Sequence, residues 1–319
     1  MQNKTVGAAD FSVRYGKKLI MSEIIIENNI LRFIVDPEKG ASIMAFFVNK
    51  ENSWLSLMPD SRTESTDLNA ACFIMIPYSN RIENGKFNFE GRDYQLRNRE
   101  NHSIHGDTRN RAWRTEEADS SRVCFFFESK EHKDINWPWS FDARVEYFLN
   151  QNTFTSQIAL KNRSNSVMPA GCGWHPYYNR TLLFDEEPVY LKMNTHGVYP
   201  DANDNRIPSG PPQIPSIEQD FSKEKLLDIS LFLDSCYHSY DGNGYIFWPK
   251  SGIKVTYKCS SCTHLIVFNP SKPFFAVEPV TNANNGVNLF PKKEFDSGIV
   301  PLAPNESLTV SFSLKMDFL

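Results

Sequence analysis

A period of two runs through this chain. In SLTVSFSLKMDF, near the C-terminus, Leu308, Val310, Phe312, Leu314, Met316 and Phe318 fall on one side, and Thr309, Ser311, Ser313, Lys315 and Asp317 on the other. A half-buried strand has that spacing, because successive side chains of a strand point to opposite faces. FDARVEYFLN and TFTSQIALKN repeat it, with Asn150 to Asn152 as the turn between them. EIIIENNILRFIV predicts a second hairpin with Asn28 and Asn29 at its tip, and GKFNFEGRDYQL a third that turns near Gly91. No segment predicts a substantial helix; FSKEKLLDISLFL has room for one short turn at most. Strands at regular spacing with turn chemistry between them predict an all-β fold, a large antiparallel β-sandwich. The stretch from Tyr199 to Pro215, rich in Pro, Asp, Asn and Gly, reads as a long surface loop. Strand patterns of one kind flank it, so the 319 residues are read as one large β domain.

Composition narrows the function classes. A net charge of −4 gives no clustered basic face of the kind nucleic acid requires. No apolar stretch approaches the roughly 20 residues of a membrane-spanning helix. The opening MQNKTVGAADFSVRYGKKLIM lacks the apolar run of a signal peptide. The six cysteines are scattered through a chain long enough to fold without disulfides or metals, which predicts a cytoplasmic protein with free thiols. Cys259 and Cys262 form a lone CxxC with no second pair to complete a zinc site, and are read as reduced thiols in a strand turn.

Several polar residues sit where an all-β core does not want them. Glu278 interrupts the apolar run Phe274 to Val280 in PFFAVEPVTNANNG. An ionised carboxylate there is costly unless paired, and burial raises its pKa towards the range of a general base. The competing reading puts it on the solvated face of an edge strand, which Pro279 permits. His175 in GWHPYYN stands between Trp174 and Pro176, with Tyr177 and Tyr178 following. Imidazole titrates near neutrality and suits proton transfer, although a histidine satisfied within the core has the same surroundings. His105 precedes Gly106, a residue that allows close backbone approach. His102 and His105 have no neighbouring ligand pattern to complete a metal site. Arg81 in IPYSNRIENGKF opens a turn after an apolar stretch, and Asp234 ends one in LFLDSCYHSYDG. Both read equally as surface or turn residues and as groups that grip hydroxyls. Cys172, three residues before His175, has no third orienting group to mark it as a nucleophile.

Taken in order, NRI…GKF, HSIHGD…W, MPAGCGWHPYYN, LDSCYHSYDG and VEPVTNANNG resemble the ordered motifs of the aldose 1-epimerase (galactose mutarotase) family, in its GWHPYF-type subgroup. The resemblance runs from Glu23 to the C-terminus and leaves residues 1–22 as an N-terminal extension to a domain of residues 23–319. It implies a galactose mutarotase-like supersandwich with a sugar cleft, and interconversion of the anomers of a free aldose without cofactor or metal. By position, His175 matches the family's general acid and Glu278 its general base. His105, Arg81 and Asp234 match substrate-binding positions, with Trp174 or Tyr177 available to stack on a sugar. The implied partner is a monosaccharide, with no nucleic acid or membrane, bound by a monomer or homodimer. Asp107 stands where many members carry a second glycine, and HPYYN replaces the HSYFN of galactose-specific members; both bear on which sugar is preferred. A hexose-6-phosphate 1-epimerase would need a basic clamp, for which Arg109, Arg111 and Arg114 are candidates, though they read first as surface arginines. A non-catalytic sugar-binding protein on this scaffold, and a glycoside hydrolase using Asp234 and Glu278, are the rival readings.

Overall fold

The computed structural model describes residues 23–63, 66–293 and 296–319. The N-terminal extension inferred from the sequence lies outside the described residues. Two large antiparallel sheets dominate, of ten and nine strands among the described residues. The alternating segments build the nine-stranded sheet: Ser307–Phe318 lies between Thr153–Asn162 and Ile253–Ser260, with Phe141–Asn150 beyond. Its apolar positions Val310, Phe312, Leu314 and Met316 are buried, as the alternation requires. The three predicted hairpins are present, and Gly91 turns the one between Lys86–Phe89 and Arg92–Gln95 at φ 77°.

The ten-stranded sheet carries the site. Its centre runs Cys72–Met75, Gly173–Asn179, Phe274–Val280, His264–Asn269, Leu233–His238 in spatial order. These strands are covered on both faces. One face packs on the nine-stranded sheet; the other carries a second apolar cluster that includes Met44, Phe73, Met75, Tyr199, Cys236, Ile266 and Val280. Double coverage explains why Phe274–Val280 reads as a nearly continuous apolar run rather than an alternation. Pro279 therefore does not mark an edge strand. The pairing between Gly173–Asn179 and Phe274–Val280 links Gly173 to Val280 and Tyr177 to Ala276, and skips the stretch between them. Pro176 and Pro279 fall in that gap, where the missing N–H groups break the ladder and let a central strand hold a proline.

Alternation along Gly173–Asn179 separates two jobs. Trp174 and Tyr178 enter the core between the sheets; His175 and Tyr177 face the other way, towards the second cluster. Trp174 is fully buried, its Nε1 donates to Ser156 Oγ at 2.8 Å, and its ring lies 5.5 Å from that of Phe312. Both partners belong to the nine-stranded sheet, so Trp174 bolts the layers together and is not the sugar-stacking wall that its place in the motif suggested.

FSKEKLLDISLFL, with room for one helical turn at most, holds the short strand Lys225–Leu226, and the α-helical turn among the described residues is Gly286–Leu289, directly after VEPVTNANN. One further expectation is corrected. Cys259 and Cys262 are joined as a disulfide rather than reduced. The turn through Ser260 and Ser261, where Ser261 adopts φ 62°, brings their Cα atoms to 5.9 Å, within bridging distance. No described helix is long and apolar enough to cross a membrane.

Trp174→Ala is expected to destabilise the protein by about 3–5 kcal/mol, the usual range for removing a large buried aromatic. A fall in the denaturation midpoint at unchanged slope in a urea titration would register that loss. A change under about 1 kcal/mol would show that the sheets are not joined through this side chain.

Candidate active site

His175 and Glu278 meet because of register. With Gly173 opposite Val280 and Tyr177 opposite Ala276, the two residues occupy facing positions on adjacent central strands. His175 Nε2 lies 3.2 Å from Glu278 Oε1, and both side chains are almost wholly buried, at 7 % and 2 % exposure. The row continues across the sheet on both sides: Phe73 pairs with His175, and Ile266 links Glu278 to Cys236. Phe73 stacks on the His175 imidazole at 4.5 Å and 28°, and Tyr177 tilts against it at 4.5 Å. Phe73 and Tyr177 line a cavity of about 530 Å³ at one end of the row. Cys236 and Asp234 line another of about 410 Å³ at the opposite end. The pair thus lies in the row between residues that line two hollows.

His105 and Arg81 arrive on loops fastened side by side. Asn80 O accepts from His105 N–H at 2.7 Å, Ile82 N–H donates to His102 O at 2.7 Å, and Asp107 N–H donates to Ile76 O at 2.9 Å. The contact is close enough to need glycine at position 106, which has φ 66°; a Cβ there would sit 2.1 Å from Ile76 O. His105 is buried with its ring edge-on to His175 at 5.3 Å and to Phe73 at 5.3 Å. It is not a solvated loop histidine. Arg81 donates through Nη1 to Asn80 Oδ1 at 3.0 Å and places Nη2 4.0 Å from Asp234 Oδ2. The NANNG stretch fixes this arrangement from below: Asn285 N–H donates to Arg81 O at 2.7 Å, and Asn282 Oδ1 accepts from Ser79 N–H at 3.0 Å. The five residues singled out from the sequence converge on one region.

Sequence reasoning missed Arg206, whose Nε donates to Asp234 Oδ2 at 2.9 Å. Arg206 lies in the Tyr199–Pro215 loop, at φ 66°, and its carbonyl is held by Asn284 Nδ2 at 2.9 Å. That loop lines the hollow beside Asp234. A partner 28 residues away across a loop leaves no periodic trace in a sequence. Phe73 was missed because a phenylalanine in an apolar strand resembles every other core residue.

Burial sets the electrostatics. It pushes the Glu278 carboxyl well above the ordinary carboxylate range; Asp234 adds to the rise and Arg81 offsets part of it. Burial, then Arg109 and Arg81, bring His175 down to about 3. His105 is lowered in the same way, by burial first and then by His175, Arg109 and Arg81. Burial thus drives both groups towards their uncharged forms, a carboxylic acid facing an imidazole. Glu278 Oε2, His175 Nδ1, His105 Nδ1 and Asn284 Oδ1 are buried without a hydrogen-bond partner among the described residues. Native proteins seldom leave such atoms unmatched unless a ligand or solvent serves them. The arrangement can move a proton between two points a few ångströms apart in a space shielded from water.

The aldose 1-epimerase family profile matches residues 23–315. The chain belongs to the aldose 1-epimerase family. YphB of Escherichia coli (strain K12), itself uncharacterized, is 22% identical over 275 residues, covering 82% of this chain and 89% of its own. YihR of the same organism, also uncharacterized, is 28% identical over 229 residues, covering 68% and 72%. A galactose mutarotase-like protein from Clostridium acetobutylicum has a solved structure similar to this one, with a TM-score of 0.80 at 19% identity, covering 93% of this chain and 95% of that one. Galactose 1-epimerase from Lactobacillus acidophilus NCFM gives 0.74 at 17% identity, covering 96% and 98%. These structural likenesses show a shared galactose mutarotase-like β-sandwich.

The raised carboxyl makes a stability prediction. The folded protein keeps a proton on Glu278 that the unfolded chain releases above about pH 4.3. Its contribution to stability is therefore fullest in acid and declines as pH rises towards the folded-state value. Glu278→Gln cannot ionise and keeps a donor facing His175. Its melting temperature is expected to exceed the wild type's, by a margin that widens between about pH 5 and about pH 8. A constant margin over that range would show that Glu278 titrates normally in the fold.

Proposed function

We propose that this protein is an aldose 1-epimerase that interconverts the α and β anomers of a free monosaccharide. The observation that carries the reading is the buried 3.2 Å contact between His175 Nε2 and Glu278 Oε1, with Glu278 Oε2 left unpartnered beside it. Passing the shared proton across that contact turns the neutral pair into a carboxylate and an imidazolium without exchange with solvent. In that form Glu278 takes the proton from the anomeric O1, and His175 gives one to the ring oxygen O5 as the C1–O5 bond breaks. The products are an aldehyde at C1, a hydroxyl at C5, a neutral carboxylic acid and a neutral imidazole. Rotation about C1–C2 presents the other face of the aldehyde. Closure runs the transfers backwards and leaves the opposite anomer. The two residues supply both proton transfers, so the proposed reaction calls on no cofactor.

Arg81 and Asp234 are assigned to orienting hydroxyls on the Glu278 side of the ring, and His105 to the ring-oxygen side. Tyr177 lies on the outer face beside His175, and stacking on the sugar is assigned to it rather than to Trp174.

Proton NMR exchange between the anomeric signals of a panel of aldoses tests the proposal. Wild-type protein is expected to accelerate exchange, and Glu278→Gln and His175→Ala each to lower kcat by about 10²–10⁴-fold, the usual contribution of a positioned acid or base. A fully active Glu278→Gln protein would overturn the mechanism. Binding without acceleration by the wild type would leave a sugar-binding protein on the same scaffold.

A further inference from the structure

Arg109 stands out among the arginines after His105. Arg111 is tied to Asp107 at 2.7 Å, and Arg114 lies 3.6 Å from Glu131 at an exposed position. Arg109 has no ion pair or side-chain hydrogen bond among the described residues. Its guanidinium carbon sits 5.2 Å from the centroid of Phe73, the ring that stacks on His175. It lines the 530 Å³ cavity with Phe73, Tyr177 and Ser42. Two acids on that lining, Glu38 and Asp67, are exposed at the rim, and Asp67 lies 3.5 Å from Lys272. Burial lowers the pKa of Arg109 with no carboxylate nearby to oppose it; the groups that do are Tyr177 and Tyr78.

The backbone holds the guanidinium in place. Gly40 N–H donates to Arg111 O at 2.9 Å, and Gly40, at φ 72°, packs so close that a Cβ would meet Arg109 O at 2.2 Å. Together with the Asp107 bond to Ile76, this clamps the loop on both sides of Arg109. A fixed, partly desolvated guanidinium without an anion is costly to maintain unless something completes it.

The orientation of the sugar says what completes it, and this step rests on the proposed reaction. With O1 at Glu278 and O5 at His175, the rest of the ring is directed by its own connectivity. O5 joins C1 to C5, and C5 carries C6. The C5–C6 edge therefore extends from Glu278 past His175, along the row that leads to Phe73 and the Arg109 cavity. We propose that the preferred substrate is an aldose with an acidic group at C6, bound through Arg109. A carboxylate, as in a hexuronic acid, and a phosphate ester share the required chemistry: oxygen acceptors that match the guanidinium fork.

Matched pairs test the idea: glucose with glucuronate, galactose with galacturonate, and glucose with glucose 6-phosphate. Anomer exchange by NMR is measured for each with wild-type protein, Arg109→Gln and Arg109→Lys. The wild type is expected to favour the acidic partner in kcat/KM by about ten- to a hundredfold, the range for a hydrogen-bonded charge. Arg109→Gln should bring that ratio close to one, mainly through KM for the acid, and Arg109→Lys should restore part of it. The uronate and phosphate arms show which acid the cavity fits. Equal or better turnover of the neutral partners by the wild type would overturn the proposal, as would a proportional loss for both partners in Arg109→Gln. If no sugar exchanges faster, the epimerase reading fails, and saturation-transfer binding of glucuronate and glucose tests the anion site by itself. Preferential glucuronate binding lost in Arg109→Gln would uphold the site; equal binding would overturn it.

Discussion

The site depends on the central strands of one sheet being covered on both faces. A strand with one wet face would present His175 to solvent, where imidazole titrates near neutrality and a facing glutamate stays ionised. Here the nine-stranded sheet covers one face, and the cluster around Phe73, Met75, Ile266 and Val280 covers the other. Water is kept from the row without removing the hollows at its two ends. Burial is the largest influence on both His175 and Glu278, and it drives each towards its uncharged form. A pair that holds one proton in a dry space needs no solvent to convert its acid form to its base form.

Two prolines make the geometry available. Antiparallel strands normally fill the space between facing residues with ladder hydrogen bonds. The pairing between Gly173–Asn179 and Phe274–Val280 lapses over the stretch that contains Pro176 and Pro279. Within that lapse the imidazole and the carboxyl face each other, while Trp174 anchors the same strand to the opposite layer through Ser156. Rigidity on one side of the strand and a break in its ladder on the other serve a single residue between them. The NANNG segment extends the principle, since its asparagines hold the backbone of Ser79, Arg81 and Arg206 while Asn284 also lines the hollow beside Asp234.

What could be read from the sequence follows from what leaves a local pattern. Alternation in Ser307–Phe318 and in the hairpin Phe141–Asn162 is local, and those strands lie where the period of two put them. Glu278 was legible as an anomaly, because a carboxylate in the run FFAVEPV breaks its own surroundings. The edge-strand alternative failed because coverage of the second face is a long-range fact supplied by segments far away in the chain. Arg206 and Phe73 were invisible for the same reason: the loop that brings Arg206 to Asp234 and the register that brings Phe73 to His175 are properties of the assembled sheet. Trp174 was misassigned by adjacency to His175. In a strand, neighbours in sequence point to opposite faces, so closeness in the motif was itself the reason to separate them.

The charges around the pair differ from one end of the row to the other, and the difference is one of completion. At the Asp234 end, Arg206 and Arg81 meet a carboxylate, so neutral hydroxyls there find both donors and acceptors already balanced. At the Phe73 end, Arg109 faces two aromatic rings and two hydroxyl-bearing serines, Ser42 and Ser61, with the acids confined to the rim. A neutral sugar edge can hydrate a guanidinium but cannot neutralise it, and the cost of partial desolvation stays unpaid until an anion arrives. The same cation lowers the basicity of His175, making the imidazolium a stronger acid towards the ring oxygen. An anionic substituent beside Arg109 would relieve that influence and shift the shared proton towards His175. Occupation of the far end of the cavity would then favour the carboxylate–imidazolium form that opens the ring, so recognition and proton placement would be linked through one arginine.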